Sequence, residues 1–320
     1  MTDRRSRWFP SSPAMWIDSV QTRLLYQDFS TRVVPYRHGP DAYVLSTDGA
    51  TRYEVDRALS LGDQSRIDGF LRAAAMRLLT THELWFEVSF ENDHEERTPF
   101  GVTEVDGVLR AADGGLVQQL PSSGELPEWH RDKGEWGVAL ELDPDRMIHA
   151  TLPDAYPSEV LMRVVADLAE IEFDLTPPWV LDQWGESHSQ GSPYDAAEAA
   201  RTRQLRLAQA ALPIGWTARE LYLGQHRAVS DYYHYLRELR FVHFLASLRS
   251  CAEDALRQVL TLSGDRCGFR ASVTAFGVPT PDEVNILIQR FEAGDLPFAA
   301  VNDILYGAAK GTSAEQRTVL

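Results

Sequence analysis

The segment Thr217–Leu262 reads TARELYLGQHRAVSDYYHYLRELRFVHFLASLRSCAEDALRQVLTL. Thr217 with Glu220 three residues on has the form of a capping box, in which each side chain satisfies an orphaned N–H at a helix start. Apolar residues then recur at helical spacing through Val229, Tyr233, Leu236, Phe244, Leu248, Ala252, Leu256 and Val259 to Leu262, with Gly264 as the C-cap. An unbroken helix over 217–262 would be roughly 70 Å long at about 1.5 Å per residue. Ordinary globular helices run about 10–14 residues, so one of this length is expected to cross between domains or subunits. Gly224 is a point near its start where it could be interrupted.

Upstream, the texture is different. A short helix is expected after a proline-rich arm, with Trp16, Val20, Leu24 and Leu25 on one face. Strand candidates follow at Arg32–Tyr36 and Ala42–Ser46. Arg66–Leu79 then repeats Ile67, Phe70, Leu71, Ala74 and Leu78 at helical spacing. The stretch HELWFEVSFEN (82–92) alternates Trp85, Glu87, Ser89 and Glu91 with Phe86, Val88 and Phe90, the pattern of a strand with one polar face. Val102–Arg110 and Gly115–Leu120 are expected to pair with it, and Gly134–Leu142 and Arg146–Thr151 add two strands. Ser158–Phe173 returns to helical periodicity with Val160, Leu161, Val164, Val165, Leu168 and Ile171, and Asp195–Ala211 reads as a further helix. The fold class is therefore α+β: a mixed or antiparallel sheet region, then a mainly helical part with one very long helix at about 217–262. The expected parts are a mixed region 1–155, a helical region 156–264 and a C-terminal strand with a helical hairpin, 265–320.

That last part contains TPDEVNILIQRFEAGDLPFAAVNDIL (280–305). Thr280 and Glu283 form a second capping box, with Pro281 at the first helical position. Two short helices across Gly294-Asp295 have the spacing of a helix-turn-helix. Yet the charged residues are Asp282, Glu283, Arg290, Glu292, Asp295 and Asp303, a net of −4. A second helix without Arg or Lys brings nothing to phosphates or guanine edges, so a packed helical hairpin is the better reading.

The chain carries a formal charge of −16. Residues 83–186 hold 24 acidic and 6 basic residues, a net of −18, and the remainder is close to neutral at +2. No basic stripe of the kind that grips nucleic acid is present. No apolar run approaches the ~18–20 residues of a membrane span. MTDRRSRWFP has no apolar signal-peptide core, so the expectation is a protein made and kept in the cytoplasm. Two cysteines, Cys251 and Cys267, exclude a disulfide framework and a four-cysteine zinc site.

Candidate chemistry is sparse. There is no phosphate-cradling glycine loop and no nucleophile elbow. The histidines show no ligand spacing: His226, His234 and His243 lie too far apart along one helix to share a metal. If the chain were an enzyme of an unrecognised family, its carboxylates and imidazoles would come from the sheet region, from His82, Glu83, Glu87 and His149. A helical adaptor or scaffold is a further alternative. No catalytic, cofactor-binding or metal residue is assigned, no cofactor is expected, and channel-lining residues are left open.

The order of parts resembles the portal proteins of tailed double-stranded DNA phages. An α/β region contains HELWFEVSF, Met147-Ile148-His149 leads into helix 158–173, a very long helix follows, and FEAGDLPFAAVNDIL closes the chain. In that family an α/β wing flanks helical stem segments and a long helix spans the wing. Residues 174–193 are the candidate for a clip between stem helices. The resemblance implies a non-enzymatic ring of about twelve copies at a capsid vertex of the virion, assembled in the host cytoplasm. Its implied partners are its own copies, capsid protein, terminase, tail or head-completion proteins, and double-stranded DNA that passes through unread. An acidic middle third suits such a channel, because an anionic wall does not grip sliding DNA.

Overall fold

The computed structural model describes residues 19–34, 42–59, 67–90, 100–111, 114–119, 139–174, 202, 205–217, 230–306 and 316–318. The arm with Trp16, loop 182–193, the clip candidate beyond 174, His226 and Ala218–Glu220 of the first capping box lie outside these residues. In chain order the elements are α1 (Val20–Arg32), β1 (Tyr43–Asp48), α2 (Arg52–Ala58), α3 (Ile67–Thr81), β2 (Glu83–Phe90), β3 (Phe100–Glu104), β4 (Val108–Arg110), β5 (Leu116–Gln119), β6 (Ala139–Leu142), β7 (Met147–Thr151) and α4 (Ser158–Asp174). Helical residues 205–210 and the tight turn Leu212–Ile214 follow. The chain ends with α5 (Asp231–Cys267), β8 (Arg270–Phe276), α6 (Pro281–Glu292), α7 (Phe298–Tyr306) and β9 (Gln316–Thr318). The class is α+β, and every strand pairing is antiparallel.

The long helix is present but shifted along the chain. It has 37 residues, about 55 Å at 1.5 Å per residue. Ser230, not Thr217, is its N-cap, accepting from the Tyr233 N–H at 3.3 Å. The Thr217 hydroxyl is used elsewhere and donates to the Glu238 carboxylate. At the other end the helix runs past Gly264 to Cys267, and Gly268 closes it in the left-handed region at φ 74°. Gly264 is required for a different reason. A Cβ there would lie 2.6 Å from the Phe269 carbonyl oxygen, so the glycine lets the chain fold back over the helix end into β8.

Arg32–Tyr36 is not a strand where it is described. α1 continues to Arg32, and the buried Val33 and Val34 turn away from it. The buried stripe of α1 is also rotated from the expected one. Leu25 and Phe29 face the core with Gln21, Thr22 and Asp28, and Val20 is exposed. The rotation follows the polar partners: the Trp216 Nε1–H donates to Asp28 Oδ2 at 3.1 Å, which draws that face inward.

The expected strand 102–110 is two strands, split at a turn where Gly107 has φ 67°. The strands form three sheets of order β1-β8-β9, β3-β2-β7 and β4-β5-β6. β5 therefore pairs with β4 and β6, not with β2. Trp85, on the supposedly polar face of β2, forms a small second core with Val105, Leu116 and Leu142. The main core runs from α1 through β8, with Phe29 edge-on to Phe244 at 5.7 Å and Phe70 tilted on Phe86 at 5.1 Å. The capping box at Thr280 and Glu283 forms as expected. Its helical hairpin packs on α5 through Leu236, Leu239, Phe291, Leu296 and Val301.

α5 also carries buried charge. Arg237, Glu238, Arg249 and Glu253 are each at most 4% exposed. Charges in such places cost several kcal/mol apiece unless they are paired and hydrogen-bonded. Here Arg32 Nη2 donates to Glu238 at 2.9 Å, and Arg249 donates to the carbonyls of Val33, at 3.0 Å, and Pro279. The Tyr43 hydroxyl donates to Glu253, and Arg237 donates to the Trp216 carbonyl.

The Leu212–Gly215 turn sits hard against α5. Gly215 has φ 73°, and a Cβ there would lie 2.5–2.6 Å from the Arg237 carbonyl oxygen, Arg240 Cβ and Phe241 N. Gly215→Ala is expected to lower unfolding stability by about 2–4 kcal/mol, combining backbone strain with overpacking. Urea denaturation of the variant against wild type measures this, and a loss below about 0.5 kcal/mol would contradict so close an approach.

Candidate functional site

The residues singled out for chemistry lie on and beside β2. In the β2–β7 ladder Glu83 is opposite Thr151, Trp85 opposite His149 and Glu87 opposite Met147. The side chains of positions 83, 85 and 87 share one face because strand residues alternate. The His149 ring stacks on Trp85 with centroids 3.8 Å apart and planes 13° from parallel. Glu83 Oε2 lies 3.4 Å from His149 Nε2 and from the Trp85 Nε1–H. Glu83 and His149 are thus brought together, on a surface where the carboxylate is more than half exposed.

His82 is held by its backbone. It is the bend between α3 and β2, a non-glycine residue at φ 68°. Its N–H donates to the Leu78 carbonyl at 3.0 Å, and its carbonyl accepts from the Leu152 N–H at 3.2 Å. Burial pushes its imidazole below the usual histidine range, against the pull of Glu159. This neutral, desolvated ring belongs to the turn.

A cleft of about 230 Å³ opens beside Glu83 and Trp85, where α3 meets the β3–β4 turn. Arg77 of α3 spans it, ion-paired with both Glu104 and Asp106. The turn is set by the Val105 N–H donating to the Trp85 carbonyl and the Gln119 N–H donating to the Gly107 carbonyl, each at 2.9 Å. Burial raises the acid range of Glu104, Arg77 opposes this, and Asp106 adds to it. Sequence reasoning missed this group. Arg77 and Asp106 sit 29 positions apart, on a helix and on a turn inside the expected strand 102–110. Three carboxylates and one guanidinium line the cleft, and the arginine is committed to the clamp with two of them. Among the described residues, no cluster of three or more His, Cys, Asp or Glu has the geometry to hold a metal ion.

The two histidines described on α5 pack against aromatic rings, His234 buried and His243 half-buried. His234 lies edge-on to Tyr235 at 5.6 Å. His243 Nδ1 shares a 2.7 Å hydrogen bond with the Tyr156 hydroxyl. Burial lowers the His243 range, with Asp282 opposing, and pushes the Tyr156 phenol up to about 12. Both partners are therefore neutral at pH 7, and the bond ties the lead into α4 to α5. Burial likewise lifts the Cys251 thiol to about 11, consistent with an inert packing residue.

The chain matches no family model and no curated protein. Among solved structures, a chain from the virion of a native gene transfer agent particle aligns over 98% of this chain and 93% of that one. The two are 12% identical, with a TM-score of 0.46. Among the described residues, no helix is long and apolar enough to cross a membrane.

Two outcomes test the clamp. Arg77→Met leaves Glu104 and Asp106 facing each other and is expected to cost about 1–3 kcal/mol, below a fully buried pair because the carboxylates are partly exposed. A carboxyl raised in the folded state contributes stability that is complete below its unfolded range and is lost as pH rises through the folded value. Glu104→Gln should therefore gain on wild type as pH goes from 4 to 8, read as the difference in urea midpoints. A pH-independent difference would remove Glu104 as the titrating group.

Proposed function

We propose that this chain is a portal-like structural subunit of a tailed-phage-type particle, which assembles with its own copies into a ring that passes double-stranded DNA. The observation that carries the reading is α5, a 37-residue helix packed against α3, β2, β7 and β8 along its length and against the α6–α7 hairpin. So long a strut exceeds what one small core requires and suits a subunit that must transmit position from one end of a ring wall to the other.

The element order gives further support. An α/β part (1–155) corresponds to a wing, the region 156–264 supplies α4 and α5, and the closing part 265–320 supplies β8 and the hairpin. The net −18 of residues 83–186 favours release of DNA over grip. The hairpin, acidic and packed on α5, is a structural element in this reading. The working partners are further copies of the chain, capsid protein, terminase, and tail or head-completion proteins. The place of work is the virion, after assembly in the host cytoplasm. Catalysis has no part in it.

The test is native mass by light scattering, with negative-stain images of the same fraction. A closed ring of many copies is the expected result. A chain that stays monomeric, alone and with capsid components, defeats the reading and favours an enzyme or adaptor. An enzyme would then be sought through loss of activity in His149→Ala.

A further inference from the structure

Residues 152–157 join β7 to α4, and a half-buried histidine holds the segment at each end. At the near end the Leu152 N–H donates to the His82 carbonyl at 3.2 Å. At the far end the buried Tyr156 shares its hydroxyl with His243 Nδ1 at 2.7 Å and lies edge-on to Phe244 at 4.9 Å. The Pro157 carbonyl then accepts from the Val160 N–H at 3.0 Å as α4 begins. Beyond that point α4 is held by its buried apolar stripe and by packing on α1 and Leu212–Ile214.

Both histidines serve this segment as neutral rings. The Tyr156 phenol keeps its proton at pH 7 and gives it to His243 Nδ1, which accepts only while it is unprotonated. A protonated imidazole only donates, so the phenolic proton would have to turn away. Among the described residues the Tyr156 hydroxyl has no second hydrogen-bond partner. His82 is constrained more tightly, since its backbone sits at φ 68° and is hydrogen-bonded through both its N–H and its carbonyl. Its Nε2 is buried with no hydrogen-bond partner among the described residues, and a protonated ring would carry an N–H there without an acceptor. The charged groups acting on this system are Glu159, in the first turn of α4, on His82; Asp282, in the first turn of α6, on His243; and Arg240 of α5 on Tyr156. Each carboxylate favours a protonated ring, but burial is the larger influence at both histidines.

We infer that residues 152–157 are an acid-sensitive latch on α4, closed by neutral His82 and His243 and loosened when the two rings take up protons. A released segment binds those protons at the ordinary histidine value of about 6.5, and the closed one resists them. The latch is therefore at full strength above that pH and weakens as the pH falls below it. The device lies within one chain and stands apart from the ring reading.

The test is hydrogen exchange of the full chain, read by mass spectrometry as protection factors at pH 7.5 and pH 5. In wild type, peptides covering 152–174 should lose protection severalfold at the lower pH, while β1 and β8 keep theirs. The comparison is the double variant His82→Asn and His243→Gln. Asparagine tolerates the left-handed backbone, the glutamine amide oxygen can still accept from Tyr156, and neither side chain titrates in this range. The double variant should hold α4 equally at both values, and His243→Gln alone should remove part of the response. Unchanged protection of 152–174 in wild type, a loss shared equally by β1 and β8, or a double variant that responds like wild type would each overturn the latch.

Discussion

The Arg249 guanidinium holds three distant parts of the chain together. It sits on α5, almost wholly buried, and donates to the carbonyls of Val33 and Pro279. Those carbonyls end α1 and precede α6, so one side chain joins the first described helix to the C-terminal hairpin across the central one. A buried carbonyl without a donor and a buried guanidinium without acceptors are each costly. Together they leave little freedom in how α1, α5 and α6 are placed. Glu253, beside Arg249 and bonded to Tyr43, extends the same tie to β1. With Arg237 and Glu238 about three turns earlier, the helix is pinned by polar contacts as well as by its apolar stripe. The geometry of a greasy helix alone would tolerate sliding or rotation, whereas fixed donors and acceptors set its register.

This polar pinning also explains which features could be read in the sequence. Helices with a clean apolar stripe were legible: α3, α4 and α6 fall within a residue or two of their expected bounds, as do β1 and β7. The capping box at Thr280 was legible because its two partners are three residues apart. The matching pattern at Thr217 does not open the long helix, which begins fourteen residues later, and the Thr217 hydroxyl donates to Glu238 across the fold. Local sequence carries no mark of which long-range partner will claim a hydroxyl. Gly264 misled for a similar reason. A glycine that admits a close backbone approach looks the same in sequence as one that caps a helix.

The candidate site was half legible. Alternation along β2 put Glu83 and Glu87 on one face, and the ladder to β7 brings His149 beside Glu83. Trp85, counted with the polar face, is instead the centre of the second core and the platform for His149. The Arg77 clamp stayed hidden because its members come from different elements and one lies in a turn read as strand. Pairings within a strand follow from a period of two. Pairings between a helix and a turn follow only from the packed fold.

The sheet of order β1-β8-β9 has a consequence for how the molecule is made. β1 is synthesised early, yet its ladder partner is β8, with Tyr43 opposite Ala275. At ~5–20 residues per second the ribosome delivers that partner on the order of 10–50 s later. For that interval the edge of β1 has no native strand to pair with, and α5, whose Glu253 accepts from Tyr43, has not yet been completed. Contacts so distant along the chain must also bear the entropy of closing a very large loop. Completion of the core is thus deferred until β8 has been made, and a chain stopped before Arg270 would lack the strand that closes its first sheet.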